Sequence, residues 1–222
     1  WIKQSYDDHQ LEKRLAERRS TYLEAKEFFE AGEYKKAFEI MTSLKFFRTE
    51  ERDMKIFKST MLDQIVEKGD RAYRSGNYVK AITLYELVQE FAPDLPFYEL
   101  KQKLAESYRQ NDQPDMAIEI LEEFLVSEYE TIGSLVKIAE IERDEKNNLN
   151  EALDRLIIAH RLAIKRYKRF YGDGYALVIN EKYLPKSHFY LYTNLADMYF
   201  RLDDYEMAIK AADWNKYVWP DS

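Results

Sequence analysis

The chain has no cysteine, only three histidines, and only 6 Gly and 5 Pro in 222 residues. Without cysteine there is no disulfide, no thiolate metal site and no thiol nucleophile. His9, His160 and His188 share no metal-ligand spacing, and the sequence contains no glycine-rich phosphate loop, nucleophile elbow or HExxH pair. No catalytic residue, metal site or cofactor is therefore predicted. His160 falls inside a predicted helix and His188 at the start of another, where packing or surface roles are expected. Apolar runs extend over only a few residues, as in Ala176-Leu177-Val178-Ile179, too short for a membrane span or a signal-peptide core.

What is present describes a folded, helix-rich chain: 45% of residues are hydrophobic and 34% are charged. This length suits one large domain or two small ones. Asp and Glu (41) outnumber Lys and Arg (34), giving a net charge of -7, which favours solubility and argues against general nucleic-acid binding. The chain opens at Trp1 rather than Met and stops just after Trp219-Pro220, so it reads as a piece of a longer protein. Together with the missing cysteine, this points towards a bacterial envelope over the cytoplasm, with the compartment otherwise open.

Self-similarity organises the chain. Gly76-Asn77-Tyr78-Val79-Lys80-Ala81-Ile82 recurs as Gly32-Glu33-Tyr34-Lys35-Lys36-Ala37-Phe38 and as Asp203-Asp204-Tyr205-Glu206-Met207-Ala208-Ile209. Weaker copies begin at Asp112 and Asn147. Each places a turn residue before an aromatic or similar wedge, then a small residue that opens an apolar helical stripe. Asp203-Asp204 occupies such a turn, so turn and capping duty is expected there rather than acid/base chemistry, and the same default holds for Asp7-Asp8.

Around these phrases the sequence resembles the tetratricopeptide repeat family. The last copy carries Tyr192, Leu195, Ala196, Tyr199, Ala208, Ala212 and Pro220, with Ala212 smaller than the usual aromatic. The second carries Ile65, Lys68, Gly69, Ala72, Ala81, Tyr85 and Pro93. The third keeps Leu104, Ala105, Tyr108, Ala117 and Leu121; the first keeps Ala25, Phe28, Ala37 and Met41. The fourth has Leu135, Ile138, Ala139, Ala152 and Leu156, with one extra residue in its turn. The resemblance implies an all-α, right-handed solenoid of about five helix hairpins, forming a single domain over residues 1–222 with a concave inner face. Small residues at Ala25, Gly69, Ala105, Ala139 and Ala196 allow the helices of each hairpin to approach closely.

The intervals from Ala37 to Ala81 and from Ala152 to Ala208 exceed the family period of about 34 residues. The first excess fits a long helix between Glu50 and Ser75. The second requires an insertion at 172–186, where Gly172-Asp173-Gly174 breaks the helix, Tyr175 to Ile179 is β-prone, and Pro185 precedes the next helix. At the front, Leu11, Leu15, Tyr22 and Phe29 fit the inner stripe of a lengthened first helix over Asp7 to Ala31.

Four acid and arginine pairs recur on the first helices of successive hairpins: Asp70 with Arg74, Glu106 with Arg109, Glu140 with Arg143, and Asp197 with Arg201. Two readings stand. They are ion pairs within each helix, or they form a mixed-charge groove for an extended or helical peptide, with Tyr73 and Phe200 as apolar footholds. The lysine and asparagine clamp of the family's chaperone-tail binders is missing, so a free C-terminal carboxylate is not the expected ligand. A second surface runs from Arg155 to Gly172, where Arg161, Lys165, Arg166, Lys168 and Arg169 interleave with Tyr167, Phe170 and Tyr171. It suits a solvated helix face, an acidic protein partner, or a nucleic-acid or anionic surface. The function expected is a scaffold or adaptor that binds a protein partner or peptide, with nucleic-acid or anionic-surface binding through 161–169 as the alternative. Self-association through the aromatic-rich last helix, with Trp214, Tyr217, Val218 and Trp219, is also expected.

Overall fold

A computed structural model describes residues 2–44, 52–93, 98–126, 131–172 and 186–218. Among them are ten α-helices and no strand. The chain divides into two compact units, Trp1–Pro96 and Phe97–Ser222. The first unit holds α1 (Ile2–Glu30), α2 (Tyr34–Ser43), α3 (Arg52–Arg74) and α4 (Tyr78–Phe91). The second holds α5 (Tyr98–Gln110), α6 (Pro114–Glu122) with a 3-10 turn (Glu123–Val126), α7 (Thr131–Asp144), α8 (Leu149–Tyr171), α9 (Lys186–Arg201) and α10 (Tyr205–Val218). Each odd-numbered helix packs on the even-numbered helix that follows it, giving five hairpins. Of the expected insertion, only Gly172 and Lys186 fall among the described residues. Gly172 ends α8 with φ 66°.

The hairpin turns are built alike. Each contains one residue in the left-handed region: Gly32 (φ 87°), Gly76 (75°), Asp112 (55°), Asn147 (51°) and Asp203 (61°). Gly, Asn and Asp tolerate that conformation best, which is why the turn positions of the repeat carry them. The next N–H then reaches back to the end of the first helix, from Glu33 to the Phe28 carbonyl, Asn77 to Ala72, Gln113 to Tyr108, and Asp204 to Tyr199. This is the Schellman closure, satisfying carbonyls that a helix end leaves without a partner. In the fourth hairpin the Asn148 N–H reaches one residue further back, to Glu142, which accommodates the extra turn residue. Asn77 Oδ1 accepts from the Lys80 N–H at 3.2 Å, and Asp204 Oδ1 from the Met207 N–H at 3.1 Å, so both cap the helices that follow.

One turn into each second helix stands an alanine with its side chain in the crossing. Ala37, Ala81, Ala117 and Ala152 are fully buried and Ala208 nearly so. A larger side chain there would drive the two helices apart. The fit is tight between Gly69 and Tyr85: a Cβ on Gly69 would lie 2.7 Å from Tyr85 Cε1. Tyr85 is itself fully buried, and its hydroxyl donates to Asp70 Oδ1 at 2.7 Å. Burial, then that bond to Asp70, pushes the phenol well above its ordinary pKa.

In the first unit, Tyr22, Ala25 and Phe29 form the buried stripe of α1, and Leu11 and Leu15 are half-buried. In the second, Leu135 and Ala139 of α7 join Leu156, Ala159, Ala163 and Tyr167 of α8 and Leu191, Tyr192 and Leu195 of α9 in one core. His160 belongs to this core's margin. Its Nδ1 lies 3.2 Å from the Tyr192 hydroxyl, and Trp214 of α10 stacks on Tyr192 at 5.4 Å between centroids. Ala212 departs from the repeat, since it is exposed where Met41, Tyr85, Leu121 and Leu156 are buried.

The crossing and the core margin can each be tested. Gly to Ala inside a helix ordinarily stabilises by roughly 0.5–1 kcal/mol, but Gly69→Ala overpacks the Tyr85 contact and destabilises by about 1–3 kcal/mol in urea denaturation; a stabilised variant would contradict the crossing. Burial and the charge of Arg161 hold the His160 pKa below its ordinary value of 6.5. The unfolded chain therefore takes up this proton first, and the stability linked to His160 is complete above about pH 6.5 and lost as pH falls below it. The His160→Asn variant should lack this component in denaturation midpoints measured between pH 5 and 7.5, and an unchanged pH slope would contradict the assignment.

Candidate functional site

The four acids of the sequence pattern share one register. Asp70, Glu106, Glu140 and Asp197 each directly follow the small residue of their first helix. The arginines do not. Arg109 accepts the Asp112 N–H at its carbonyl, a place held by Tyr73 and Phe200 in the second and last hairpins, so Arg74 and Arg201 stand one residue later. One residue is about 100° of helix rotation, and it decides where each guanidinium goes.

Arg109 leaves its own helix and bonds through Nε to Glu145 at the end of the α7–α8 hairpin's first helix, with Asp144 at 3.9 Å from Nη2. Arg143 of α7 does the same one hairpin on: its Nη1 donates to Asn194 Oδ1 at 2.6 Å and to Asp197 Oδ2 at 3.1 Å, both on α9. Its other edge grips Asp144 with bonds of 2.6 and 2.8 Å. Arg201, rotated away, turns back to Asp197 at 2.9 Å. Of the three pairs in the second unit, only Asp197 with Arg201 is the helix-internal pair that its spacing suggests. Glu106 accepts from Gln110, and Glu140 from Asn194, instead of from their arginines. In the first unit Asp70 serves Tyr85, and Tyr73 packs edge-on against Tyr78 at 6.0 Å.

The result is a continuous network across α5, α7 and α9 that runs from Glu145 through Arg109, Asp144, Arg143 and Asp197 to Arg201. Burial opposes the charge on Arg109, but the bond to Glu145 and the charges of Glu145, Glu106 and Glu140 offset it and hold the guanidinium above its ordinary pKa. The Arg143 bond, with added field from Arg109 and Arg201, holds Asp144 below the usual carboxylate range. These groups are already occupied by one another, so the network acts as a brace.

Two side chains that the pattern did not single out complete the face. Asn194 is buried and ties Arg143 to Glu140. Lys137 of α7 is half-buried and donates no side-chain hydrogen bond to any described residue. Burial pushes its ammonium below the ordinary lysine pKa, against the pull of Glu106 and Glu140, while Arg109 adds to the depression. Tyr190 of α9 is 54% exposed. The available sequence signal for Lys137 is a lone charge in the apolar run from Gly133 to Ile138, and for Asn194 a polar residue among Leu191, Tyr192 and Leu195.

On α8, Arg161, Lys165, Lys168 and Arg169 are exposed and Arg166 half-buried, but Tyr167 is buried in the core, so that aromatic is not presented to a base or lipid. Among the described residues, no cluster of His, Asp and Glu is arranged to hold a metal ion, and no helix is long and apolar enough to cross a membrane. No family model and no curated protein matches the chain.

The brace predicts an energetic coupling between helices. In a double-mutant cycle, Arg143→Ala and Asp197→Ala should couple by on the order of 1 kcal/mol, as contacting members of one network do. The fully exposed pair Glu206 and Lys210 should show no measurable coupling in the same assay. Additivity at Arg143 and Asp197 would contradict the brace.

Proposed function

We propose that the chain is a protein-interaction module of the tetratricopeptide repeat kind, without catalytic function. In this reading the hairpins belong to a right-handed solenoid, and the first helices offer a concave face to a peptide segment of a partner. The five equivalent turns and the buried alanine at each crossing support the repeat. The partner segment carries an acidic side chain, and the observation behind this is Lys137. A desolvated ammonium without a hydrogen-bonding acceptor gains strongly from one. The brace around it holds α5, α7 and α9 in place before any ligand arrives, which lowers the ordering cost of binding. Exposed Tyr190, on the helix α9 that packs against α7, supplies an apolar contact. An internal acidic residue fits this arrangement better than a chain terminus, since the braced arginines are committed to Asp144, Glu145 and Asp197.

Selection of random peptides displayed on phage, followed by titration of the winners, tests this reading. Selected peptides should be enriched in Asp or Glu beside an apolar residue, and Lys137→Met should weaken them at least ten-fold without lowering the melting temperature. Peptides that bind the variant equally well would overturn the reading. Binding of an oligonucleotide that is lost with Lys165→Glu and Lys168→Glu would support the alternative surface on α8.

A further inference from the structure

In three of the five hairpins, a side chain near the end of the first helix reaches the first helix of the next hairpin. Its residue stands three positions before the left-handed turn residue, or four in the lengthened turn. Phe29 meets Phe57 of α3 edge-on at 5.5 Å. Arg109 meets Glu145 at the end of α7, and Arg143 meets Asn194 and Asp197 of α9. Tyr73 stands at this place in the second hairpin. Phe200 stands there in the last hairpin, 61% exposed, and touches only Tyr205 among the ring contacts of the described residues, at 5.6 Å. Tyr205 is 54% and Ile209 64% exposed, although Ile82 and Ile118, which hold the place of Ile209 in earlier hairpins, are buried. Phe200, Tyr205 and Ile209 thus form one apolar face, on the side of the hairpin where the first, third and fourth hairpins receive a helix.

The first hairpin shows what such a face receives. Its aromatic pair, Phe29 with Tyr34 at 5.1 Å, repeats the pair Phe200 with Tyr205. It is covered by α3, which sets Phe57 against Phe29 and Lys68 over the Tyr34 ring at 5.6 Å. Phe57 and Lys68 lie about three turns apart, on one side of the helix. Charge at the last hairpin favours the same chemistry. Asp203 and Asp204 are exposed beside the apolar face and accept only from neutral donors, the Tyr205 hydroxyl and the Met207 N–H, so both keep their charge, whereas Glu206 is paired with Lys210 and Arg201 with Asp197.

We infer that the Phe200, Tyr205 and Ile209 face is a docking site for an amphipathic helix of a partner protein, one that carries an aromatic residue and, about three turns on, a basic residue on the same side. A second copy of this chain does not supply that helix through α1. Counted from Ala25 as Phe57 and Lys68 are counted from Gly69, the matching residues of α1 are Lys13 and Glu24. They would put a charge against Phe200 and an acid against the acidic rim.

A fluorescent peptide with the α3 sequence, Arg52 to Arg74, is the probe, titrated into the whole chain and followed by anisotropy. Saturable binding is expected, weakened at least ten-fold when the chain carries Phe200→Ser with Ile209→Ser, and several-fold at low salt when the peptide carries Lys68→Glu. Both chain substitutions replace exposed side chains, and an unchanged circular-dichroism melting curve verifies the fold. The Phe57→Ser peptide gives the same information from the ligand side. Absence of saturable binding would overturn the inference, as would binding indifferent to the chain and peptide substitutions, which marks exchange with the chain's own α3. Light scattering that shows concentration-dependent association abolished by the double substitution would overturn it in favour of a second copy.

Discussion

A methyl group at each helix crossing is the constraint on which the structure depends. Ala37, Ala81, Ala117, Ala152 and Ala208 are buried about one turn into the second helix of each hairpin, which packs on the first. Their size sets the separation, and the left-handed residue upstream sets the direction from which the second helix arrives. With both fixed, the helix faces are fixed too: apolar stripes meet inside, and Phe29, Arg109 and Arg143, near the ends of their first helices, reach the next hairpin. Burial then adds its free energy to an arrangement that the backbone has already narrowed.

The electrostatics of the second unit follow from that geometry. Arg109 and Arg143 occupy the forward-pointing place, and each therefore spends its charge on the following hairpin. Arg201 lies one residue later and returns to its own helix. A guanidinium offers a rigid fork, and Arg143 uses two of its edges at once, on Asp144 and on the Asn194 and Asp197 pair. Such a brace resists sliding between hairpins more than it adds to net stability, because partial burial of the charges offsets much of their attraction. A rigid row of first helices is a suitable platform for recognition.

Much of the framework was legible in the residues alone. Turn residues, anchor alanines and the small positions of the first helices recur at fixed offsets, and short-range periodicity is what a sequence displays most directly. The extra residue at Asn147-Asn148 and the length of α3 were readable for the same reason. The partners of the charged residues were not. Spacing of three or four suggests pairing within a helix, yet a rotation of 100° sent Arg109 and Arg143 to other helices, and the Tyr85 hydroxyl drew on Asp70 from across the crossing. Asn194 and Lys137 belong to no repeated pattern. Their importance comes from burial, which depends on all the neighbouring helices together. The β-prone run at 175–179 and the aromatic residues at 217–219 lie outside the residues described with their side chains.

Hydroxyl-radical footprinting of the chain with a selected peptide bound tests the central claim most directly, because exposed side chains report on both sides of the hairpins of the second unit. Tyr190 lies on the first-helix side, whereas Met116 of α6 and Ile158 of α8 lie on second helices, and all three are exposed in the free chain. Recognition by the first helices predicts protection of Tyr190 on peptide binding, with oxidation of Met116 and Ile158 unchanged. Protection of Met116 or Ile158 with Tyr190 still fully oxidised would contradict it.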